Sequence, residues 1–337
     1  MLYLVVLLKL LVYNTTTVEI CTYKNKIKHM NQSKHVILGS NGIVGQEVYA
    51  SLKTSSNDIR LVSRSDRNNQ QVHKADLTNL QQTIQAVKGY DIVYLTVGVT
   101  YDTDLWMKYW PVIIDNVIDA TLEANARLVF YDNVYMYGKV DGWMTEETPF
   151  NPISKKGEVR AKAAQKILDA MAQQNLTALI ARTPDFYGYS DQSIPNLLVF
   201  DRISKNEHPL MLLTADTKHS ITYTKDIGAS IVLLAQDEQH FNQTWHLPTD
   251  SHVPTAGEFV QMALEAFGKN ITAQALSREN LLRIGETDPI FRAYYEMLYQ
   301  NEFDFLFSSA KYEKAFQRFA TPYRTGVKEL AAKYIKG

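Results

Sequence analysis

The chain has 337 residues, of which 45% are hydrophobic and 21% are charged, a composition typical of a soluble globular protein. With 35 basic and 36 acidic residues, the formal net charge is −1, which excludes a strong electrostatic preference for nucleic acid or an anionic membrane. A single cysteine, Cys21, favours a reducing, cytoplasmic compartment, and the eight histidines show no metal-ligand spacing, so we expect no metal site.

The first 29 residues differ from the rest of the chain. Their apolar start contains Lys9 and is shorter than the roughly 20 residues that cross a bilayer. Met30 is a natural start for the domain that follows. We therefore expect residues 1–29 to be a disordered extension; a cleaved signal or a membrane anchor is the alternative.

Short apolar runs then alternate with amphipathic stretches, the pattern of βαβ units in a parallel sheet. Strands are predicted at residues 35–38, 60–63, 71–74, 91–97, 127–131, 177–182 and 219–223. Helices are predicted at residues 43–52, 105–123, 155–172, 255–267 and 324–334. The sequence therefore predicts an α/β fold: a Rossmann-type, doubly wound parallel sheet in residues 30–183, followed by a smaller α/β substrate-binding region, or cap, in residues 184–337.

A glycine-rich segment joins the first predicted strand to the first helix. Gly39 permits a tight turn, Gly42 lets the backbone approach a pyrophosphate, and Gly45 lets the helix lie close to the strand. The N–H groups at the helix N-terminus suit phosphate oxygens. We predict a dinucleotide-binding turn; a purely structural turn is the alternative. Its predicted contacts are Gly39, Ser40, Asn41, Gly42, Ile43, Val44 and Gly45.

The end of the second strand bears on the choice between NADP and NAD. An NAD enzyme usually carries an acidic residue there for the ribose hydroxyls, whereas this chain has Ser63 and Arg64. Because arginine pairs well with phosphate, NADP is favoured and NAD is the alternative. The alternative is that Arg64 is only a solvated loop residue and that Arg60 or Arg67 binds the phosphate instead.

Two further strand ends are predicted to contact the cofactor. Asp76 and Leu77 follow the third strand, where contacts to adenine are usual, and Val97 and Gly98 end the fourth strand along the cofactor path.

Six motifs follow one another in a characteristic order: GSNGIVG, ADL, VFYDNVYMYG, PFNPISKKGEVRAKAA, ARTPDFYG and HSITYTKD. Together they resemble the extended short-chain dehydrogenase/reductase family, also called the NAD-dependent epimerase/dehydratase family, over about residues 34–335. The resemblance implies an NAD(P)-binding enzyme with a small-molecule substrate. It also implies a homodimer formed through the helix after the fourth strand and the helix that carries Lys156.

The catalytic positions of the family are changed in this chain. Asn133 stands where the family has Ser or Thr, and Lys156 and Arg160 stand where it has a catalytic Tyr and Lys. One hypothesis makes Lys156 the proton donor, with its pKa depressed by Arg160. Arg160 would then hold the nicotinamide ribose, and Asn133 the substrate oxygen. The alternative is a catalytically inactive helix that only binds cofactor.

Tyrosines near the same motifs are alternative acids. Tyr135, Tyr137 and Tyr187 all fall on motifs that face the predicted cleft, although packing explains each of them as well. Tyr135 and Lys139 also form a YxxxK string, which we interpret as chance because it spans a strand end and a loop.

The predicted substrate contacts also depart from the family. Asp185 and His219 replace an Asn and an Arg with which relatives bind nucleotide sugars, and Tyr187 lies beside them. Because this exchange weakens diphosphate binding, we expect a smaller carbonyl or hydroxyl compound, sugar-like or apolar. Asp185 is expected to pair with Lys156, to accept a substrate hydroxyl, or to cap a loop. Aromatic residues that suit such a ligand are Tyr101, Trp106, Trp110, Trp143, Phe186 and Tyr187.

Two functions remain open at this point. The first is an NADP(H)-dependent oxidoreductase, or an epimerase or dehydratase that cycles its cofactor. The second is a catalytically inactive NAD(P)-binding sensor or scaffold. A homodimer would use apolar side chains of the helix at residues 105–123, unless they are buried against the sheet: Trp106, Trp110, Ile113, Ile114 and Val117.

Overall fold

The computed structural model describes residues 33–56, 58–66, 71–188 and 193–336. The extension predicted at residues 1–29 and the alternative phosphate contact Arg67 lie outside these residues.

A seven-stranded parallel sheet forms the centre of the molecule. From β1 the chain adds strands β2 and β3 on one side and later strands on the other side. This order confirms the predicted Rossmann-type α/β fold. In the order of the sheet, the strands are β11 (Gln243–His246), β7 (Ala178–Arg182), β5 (Arg127–Asp132), β4 (Ile92–Leu95), β1 (His35–Leu38), β2 (Ile59–Ser63) and β3 (His73–Lys74).

Helices cover both faces of this sheet, and the alternation of strand side chains explains how. Val36 and Leu38 point to one hydrophobic cluster, whereas Ile37 points to another on the opposite face. The first cluster is shared with α2 (Leu80–Val87), α3 (Thr103–Glu123) and α4 (Lys155–Gln173). The second is shared with α1 (Ile43–Leu52) and α6 (Thr224–Ala235).

The remaining elements come mostly from the C-terminal half, where three further pairs of parallel strands form: β8 with β10, β9 with β12, and β6 with β13. Their bounds are β6 (Trp143–Met144), β8 (Asp185–Tyr187), β9 (Leu210–Leu212), β10 (Ile221–Tyr223), β12 (Gln274–Leu276) and β13 (Leu306–Phe307). The helices are α5 (Asp201–Ser204), α7 (Ala256–Phe267), α8 (Arg278–Gly285), α9 (Pro289–Tyr294), α10 (Ala310–Phe316) and α11 (Tyr323–Lys336).

The division predicted between residues 183 and 184 stays a prediction. The central sheet takes its strand β11 from the C-terminal side of that division, and α6, which covers one face, also comes from there. Across the described residues, none of the helices combines the length and the apolar character that crossing a membrane requires.

Side-chain caps fix where the two helices nearest the site begin. Asp102 accepts a hydrogen bond from the N–H of Leu105 at the start of α3, and Ser154 accepts one from the N–H of Gly157 at the start of α4. Both helices begin after the carboxyl ends of strands, so their N-termini lie at the edge of the sheet that carries the glycine-rich turn.

Candidate active site

The glycine-rich turn has the geometry that its sequence predicts. Gly39 has a φ of +94°, and a Cβ there would lie 2.5 Å from the Cα of Val97. A Cβ on Gly45 would lie 2.4 Å from the carbonyl oxygen of Gly39. Gly42 has an ordinary φ of −72° and would meet nothing closer than 3.3 Å. Gly39 and Gly45 are thus required by packing, whereas a Cβ on Gly42 would need its neighbour to move by only a few tenths of an ångström.

Gly42 is also the N-cap of α1, and no side chain caps this helix. The first turn contains no acidic residue that would occupy the positive end of the helix dipole. The end of α1 therefore offers N–H groups to a phosphate, and a glycine at position 42 lets the backbone come close to a pyrophosphate. The residues present fit a dinucleotide.

Side chains of the turn tie it to the end of β2. Ser40 Oγ donates to the carbonyl of Val62 at 3.2 Å, and Asn41 Nδ2 donates to the carbonyl of Ser65 at 2.6 Å. Ile43 is half-buried, and Val44 is buried in the core. Asn41 thus holds the turn in place through its side chain.

The arginines near the turn differ in what they contact. Arg64 is exposed directly after β2, and Ser63 is half-buried. Arg60 donates to the carbonyls of Gln85 and Ala86, and its guanidinium lies 4.3 Å from the ring centre of Tyr90. Arg60 is engaged by these contacts, which leaves Arg64 as the better placed of the two.

The other predicted cofactor contacts lie at the ends of β3 and β4. Asp76 Oδ1 accepts hydrogen bonds from the N–H and the hydroxyl of Thr78. Leu77 is buried, and its carbonyl accepts from Asn116. Val97 faces Gly39, and a Cβ on the exposed Gly98 would have open space around it.

Lys156 is fully buried, and each of its three ammonium protons has an acceptor. Its Nζ donates to Thr103 Oγ1 at 2.7 Å, to the carbonyl of Ala293 at 2.7 Å and to Glu296 Oε1 at 2.6 Å. The ammonium group also lies 4.8 Å from the ring centre of Tyr101. The expected pairing of Lys156 with Asp185 is wrong, because Glu296 takes that place.

The pKa of Lys156 is lowered, but not by the residue that the sequence suggested. Burial lowers the pKa, and the hydrogen bond and charge of Glu296 oppose it. Arg160 contributes nothing notable to this balance, because its guanidinium is bound to another carboxylate.

Glu296 is a site residue that sequence reasoning missed. Its Oε2 accepts from the N–H of Lys155 at 2.8 Å, and its Oε1 accepts from Thr103 as well as from Lys156. One carboxylate therefore joins the first turns of α3 and α4 to the segment after α9. No motif marks this glutamate, which lies far from Lys156 in the chain.

Arg160 is buried in an ion-pair network rather than facing open space. Its Nε donates to Asp132 Oδ1 at 2.8 Å, and its Nη2 makes a second, shorter contact with the same oxygen. The guanidinium stacks 4.1 Å from the ring centre of Trp110. Arg182 Nε binds the other oxygen of Asp132 at 3.2 Å. Asp132 was missed at the sequence level, although it directly precedes Asn133.

Tyr137 belongs to the same network and is not a free acid. Its hydroxyl accepts from Arg182 Nη1 and donates to His246 Nε2, both at 2.8 Å. His246 Nδ1 in turn donates to the carbonyl of Ser308. Burial, and secondly the charge of Arg182, lowers the pKa of His246 to about 3.

Asn133, Tyr135 and Tyr187 are placed as follows. Asn133 is half-buried, and its Oδ1 accepts from the N–H of Tyr135 at 3.2 Å. Tyr135 is buried and stacks on Trp106 with ring centres 6.2 Å apart. Tyr187 packs between other aromatic rings, 5.1 Å from that of Tyr223. Burial raises the pKa of Tyr135 and of Tyr187 far above the usual value for tyrosine.

The Tyr135–Lys139 string does not bring its two ends together. Tyr135 lies in a short 3-10 turn, and the chain reverses at Gly138, whose φ is +66°. Lys139 is exposed, with its ammonium 5.0 Å from the ring centre of Phe303.

Asp185 and His219 form a pair in the cleft. His219 Nε2 lies 3.2 Å from Asp185 Oδ2, and the side chains are only 9% and 15% exposed. The imidazole stacks on Phe305, with ring centres 4.9 Å apart. His219 Nδ1 is buried and has no hydrogen-bond partner among the residues that the structure describes.

Only some of the predicted aromatic residues share this cleft. Trp106 contacts both Tyr101 and Trp110, with ring centres 5.7 and 6.2 Å apart. Trp143 is 43% exposed, and Phe186 packs against the other face of the sheet.

The apolar side chains proposed for a dimer interface are buried within the chain, as the alternative of burial against the sheet predicted. They are Trp106, Trp110, Ile113, Ile114 and Val117. Within the ranges that the structure describes, no three His, Cys, Asp or Glu residues are grouped so that they would hold a metal ion.

A family model, described as the NAD dependent epimerase/dehydratase family, matches residues 35–245. The chain belongs to this family. No curated protein matches the sequence.

Solved structures of three enzymes are similar to this chain. The UDP-N-acetylglucosamine 4-epimerase from Bacillus cereus has a TM-score of 0.70 and 17% identity, over 90% of this chain and 99% of that chain. The Bordetella bronchiseptica enzyme WbmH in complex with NAD+ has a TM-score of 0.69 and 16% identity, over 90% of this chain and 99% of that chain. A GDP-D-glycero-L-gluco-heptose synthase from Campylobacter jejuni, solved in the presence of NADPH, has a TM-score of 0.70 and 14% identity, over 91% of this chain and 99% of that chain. At these identities the likeness establishes the fold.

Proposed function

We propose that this chain binds a nicotinamide dinucleotide at the glycine-rich turn and is an oxidoreductase of the epimerase/dehydratase type. The observation that carries this proposal is the uncapped N-terminus of α1 at Gly42, held against β2 by Asn41. Similar structures contain NAD+ in one case and NADPH in another, which supports the cofactor class. The bound nicotinamide would supply or take up hydride.

NADPH is the preferred cofactor in this proposal. The main chain from Gly39 to Gly45 would hold the pyrophosphate, and the exposed Arg64 would pair with the 2′-phosphate. Asp76 and Leu77 would contact the adenine, and Val97 and Gly98 would line the path towards the nicotinamide.

The proposed substrate is a small carbonyl or hydroxyl compound without a diphosphate. The buried cations near the site already have anionic partners: Lys156 pairs with Glu296, and Arg160 and Arg182 share Asp132. Asp185 adds a negative charge to the cleft. A diphosphate would therefore have to compete with these carboxylates for its partners.

A second function, a catalytically inactive NAD(P)-binding sensor or scaffold, is favoured by one observation. Lys156, which the sequence prediction places at the position of the family's catalytic tyrosine, already donates all three of its ammonium protons in hydrogen bonds. If no other group transfers protons, the chain would bind cofactor without turning over a substrate.

A homodimer through the outer faces of α3 and α4 and a cytoplasmic location stay predictions. Met107 and Val112 on α3 are 44% and 41% exposed, but the same surface carries the ion pair between Lys166 and Asp115. Light scattering at micromolar concentration tests the dimer, and a monomer would contradict it.

Calorimetry and turnover measurements separate the two functions. We expect heat on titration with NADPH, and oxidation of NADPH in the presence of some members of a panel of aldehydes, ketones and keto-sugars. Tight NADPH binding without any turnover would favour the sensor. Loss of turnover in Lys156→Met with unchanged NADPH affinity would restore Lys156 as the proton donor.

A further inference from the structure

The Asp185–His219 pair has the arrangement of a proton-transferring dyad. Asp185 follows β7 at the edge of the sheet that carries the glycine-rich turn, and His219 comes just before β10. The 3.2 Å contact joins the Asp185 carboxylate to Nε2 of His219, so the carboxylate does not occupy the other ring nitrogen, Nδ1. A carboxylate on one nitrogen of an imidazole fixes its orientation and tautomer, so that the other nitrogen is available for a substrate.

The surroundings of this pair support a ligand at Nδ1. The His219 side chain is more than nine-tenths buried, and its Nδ1 has no partner among the described residues. Buried polar atoms in native proteins nearly always have a hydrogen-bond partner, which is our basis for placing a substrate oxygen at Nδ1. Stacking on Phe305 fixes the plane of the ring.

The neighbouring segment shows the same feature. Residues 299–305 run beside residues 217–220, as the hydrogen bond from Phe305 N–H to the Lys218 carbonyl shows. On this segment Gln300 is fully buried, and neither its Nε2 nor its Oε1 has a partner in the described structure. Polar groups without partners therefore cluster along the chain that flanks His219.

The charge of Asp185 acts on several buried tyrosines. Burial raises the pKa of five tyrosines, and the charge of Asp185 raises each of them further. They are Tyr101, Tyr131, Tyr135, Tyr294 and Tyr299. These phenols stay protonated at neutral pH and therefore offer hydroxyls that donate and accept hydrogen bonds, a set suited to a neutral polyhydroxylated compound.

Three of the ionisable groups predicted for the site are bound within the protein. Lys156 uses all its protons within the chain, and Tyr137 bonds to Arg182 and His246. Arg160 is held by Asp132. Among the described residues, His219 combines a buried ring nitrogen that has no partner with a carboxylate at its other ring nitrogen.

We propose that His219 is the catalytic acid and base of this protein, oriented by Asp185, and that its substrate is a neutral polyhydroxylated carbonyl or hydroxyl compound. The proposal rests on the oxidoreductase function proposed above. In the direction of carbonyl reduction, Nδ1–H of the imidazolium donates its proton to the substrate oxygen, and the ring becomes neutral. The Nε2 nitrogen keeps its proton, which stays hydrogen-bonded to Asp185. In the direction of alcohol oxidation, neutral Nδ1 accepts the hydroxyl proton, and solvent removes it afterwards.

Two measurements on the full chain test this proposal. The first is NMR of protein labelled with 15N-histidine, with the His219 signals assigned by their loss in His219→Asn. We expect neutral His219 to carry its proton on Nε2. A proton on Nδ1 would overturn the proposal, and this readout does not depend on turnover.

The second measurement is turnover of sugars and keto-sugars with NADPH. We expect His219→Asn, whose amide can still reach Asp185, to lower kcat by about 10²–10⁴-fold, with an unchanged Kd for NADPH. In His219→Gly, added imidazole should restore part of the lost turnover. The matched control is His252→Asn, because His252 forms a similar pair with Asp250 but is 94% exposed; its kcat should equal that of the wild type.

Each outcome of the turnover measurement is decisive. If His219→Asn keeps its turnover, or if imidazole restores nothing to His219→Gly, His219 is not the acid and the oxidoreductase function still stands. If only phosphorylated compounds are turned over, the substrate class is wrong. If the wild type binds NADPH but turns over no member of the panel, the oxidoreductase function fails and the dyad fails with it.

Discussion

Single residues decide what the cleft can do, and Glu296 is the one with the widest reach. It binds Lys156 and Thr103 through one oxygen and the N–H of Lys155 through the other. Glu296 thereby makes Lys156 an anchor between α4 and the segment after α9. This ion pair joins parts of the chain that are distant in sequence.

Removing this anchor is expected to destabilise the fold. Lys156→Met leaves Glu296 partly buried without its cation, so the free energy of unfolding should fall by about 3 kcal/mol. Lys166→Met is the matched control, because Lys166 and Asp115 form an ion pair whose side chains are 42% and 53% exposed; its effect should stay below about 1 kcal/mol. Urea denaturation measures both, and equal effects would show that the buried pair is not an anchor.

The pH dependence of stability should report on the same carboxylate. Burial alone would raise the pKa of Glu296, but the bonds from Lys156, Thr103 and Lys155 outweigh it and hold the pKa below the ordinary 4.5. Its contribution to stability is therefore present above pH 4.5 and is lost as the pH falls through the lower, folded pKa. Denaturation curves of the wild type and Glu296→Gln should converge in acid, and a constant gap would contradict this assignment.

Arg64 should decide between the two nicotinamide dinucleotides. A charge-assisted pair with the 2′-phosphate is worth about 1.5–3 kcal/mol, so Arg64→Ala should weaken NADPH binding about tenfold or more and leave NADH binding unchanged. Arg324→Ala, which removes an exposed arginine that is paired with Glu265, serves as the control. Equal losses for both cofactors would assign Arg64 a general role in binding or folding.

At the scale of elements, the turn between β1 and α1 combines two requirements that substitution can separate. Gly39→Ala introduces a Cβ 2.5 Å from the main chain of Val97 at a φ of +94°, and we expect a loss of more than about 2 kcal/mol in stability. Gly42→Ala has an ordinary φ, and its nearest contact is 3.3 Å.

Gly42→Ala is therefore expected to fold almost normally and to bind NADPH about tenfold more weakly or worse, because close approach of the backbone to a pyrophosphate at this position calls for a glycine. Thermal unfolding and calorimetry measure the two effects. Wild-type affinity in Gly42→Ala would mean that the pyrophosphate does not rest on this turn.

Strands and helices with a strong local pattern could be predicted from the sequence. The bounds of β1 and α1 agree with the prediction, and the start of α4 at Lys155 follows from its cap, Ser154. The seventh strand, β11, was missed because QTWH is short and not uniformly apolar. Its place in the sheet depends on pairing with β7, which no local pattern reveals.

The partners of charged residues could not be predicted in the same way. Lys156 and Arg160 were correctly placed on one helix, since their spacing is local. Glu296 and Asp132, which take up their charges, come from other elements. Helical spacing fixes which side chains share a face, but only the packed structure decides which carboxylate reaches each cation.

At the scale of the whole molecule, the fold assembles a glycine-rich turn, a buried ionic network and a group of aromatic side chains at one edge of a parallel sheet. The C-terminal half contributes to all of this through β11 in the sheet and through Glu296 and His219 in the cleft. Both proposed functions, the enzyme and the sensor, depend on a dinucleotide at the turn. The proton dyad depends on the enzyme alone.

Calorimetric titration of the full chain with NADPH and with NADH tests this dependence most directly. We predict saturable binding of NADPH, tighter than that of NADH, and a matching loss of affinity in Gly42→Ala. Absence of binding heat with both nucleotides, at several temperatures, would contradict the account at its foundation.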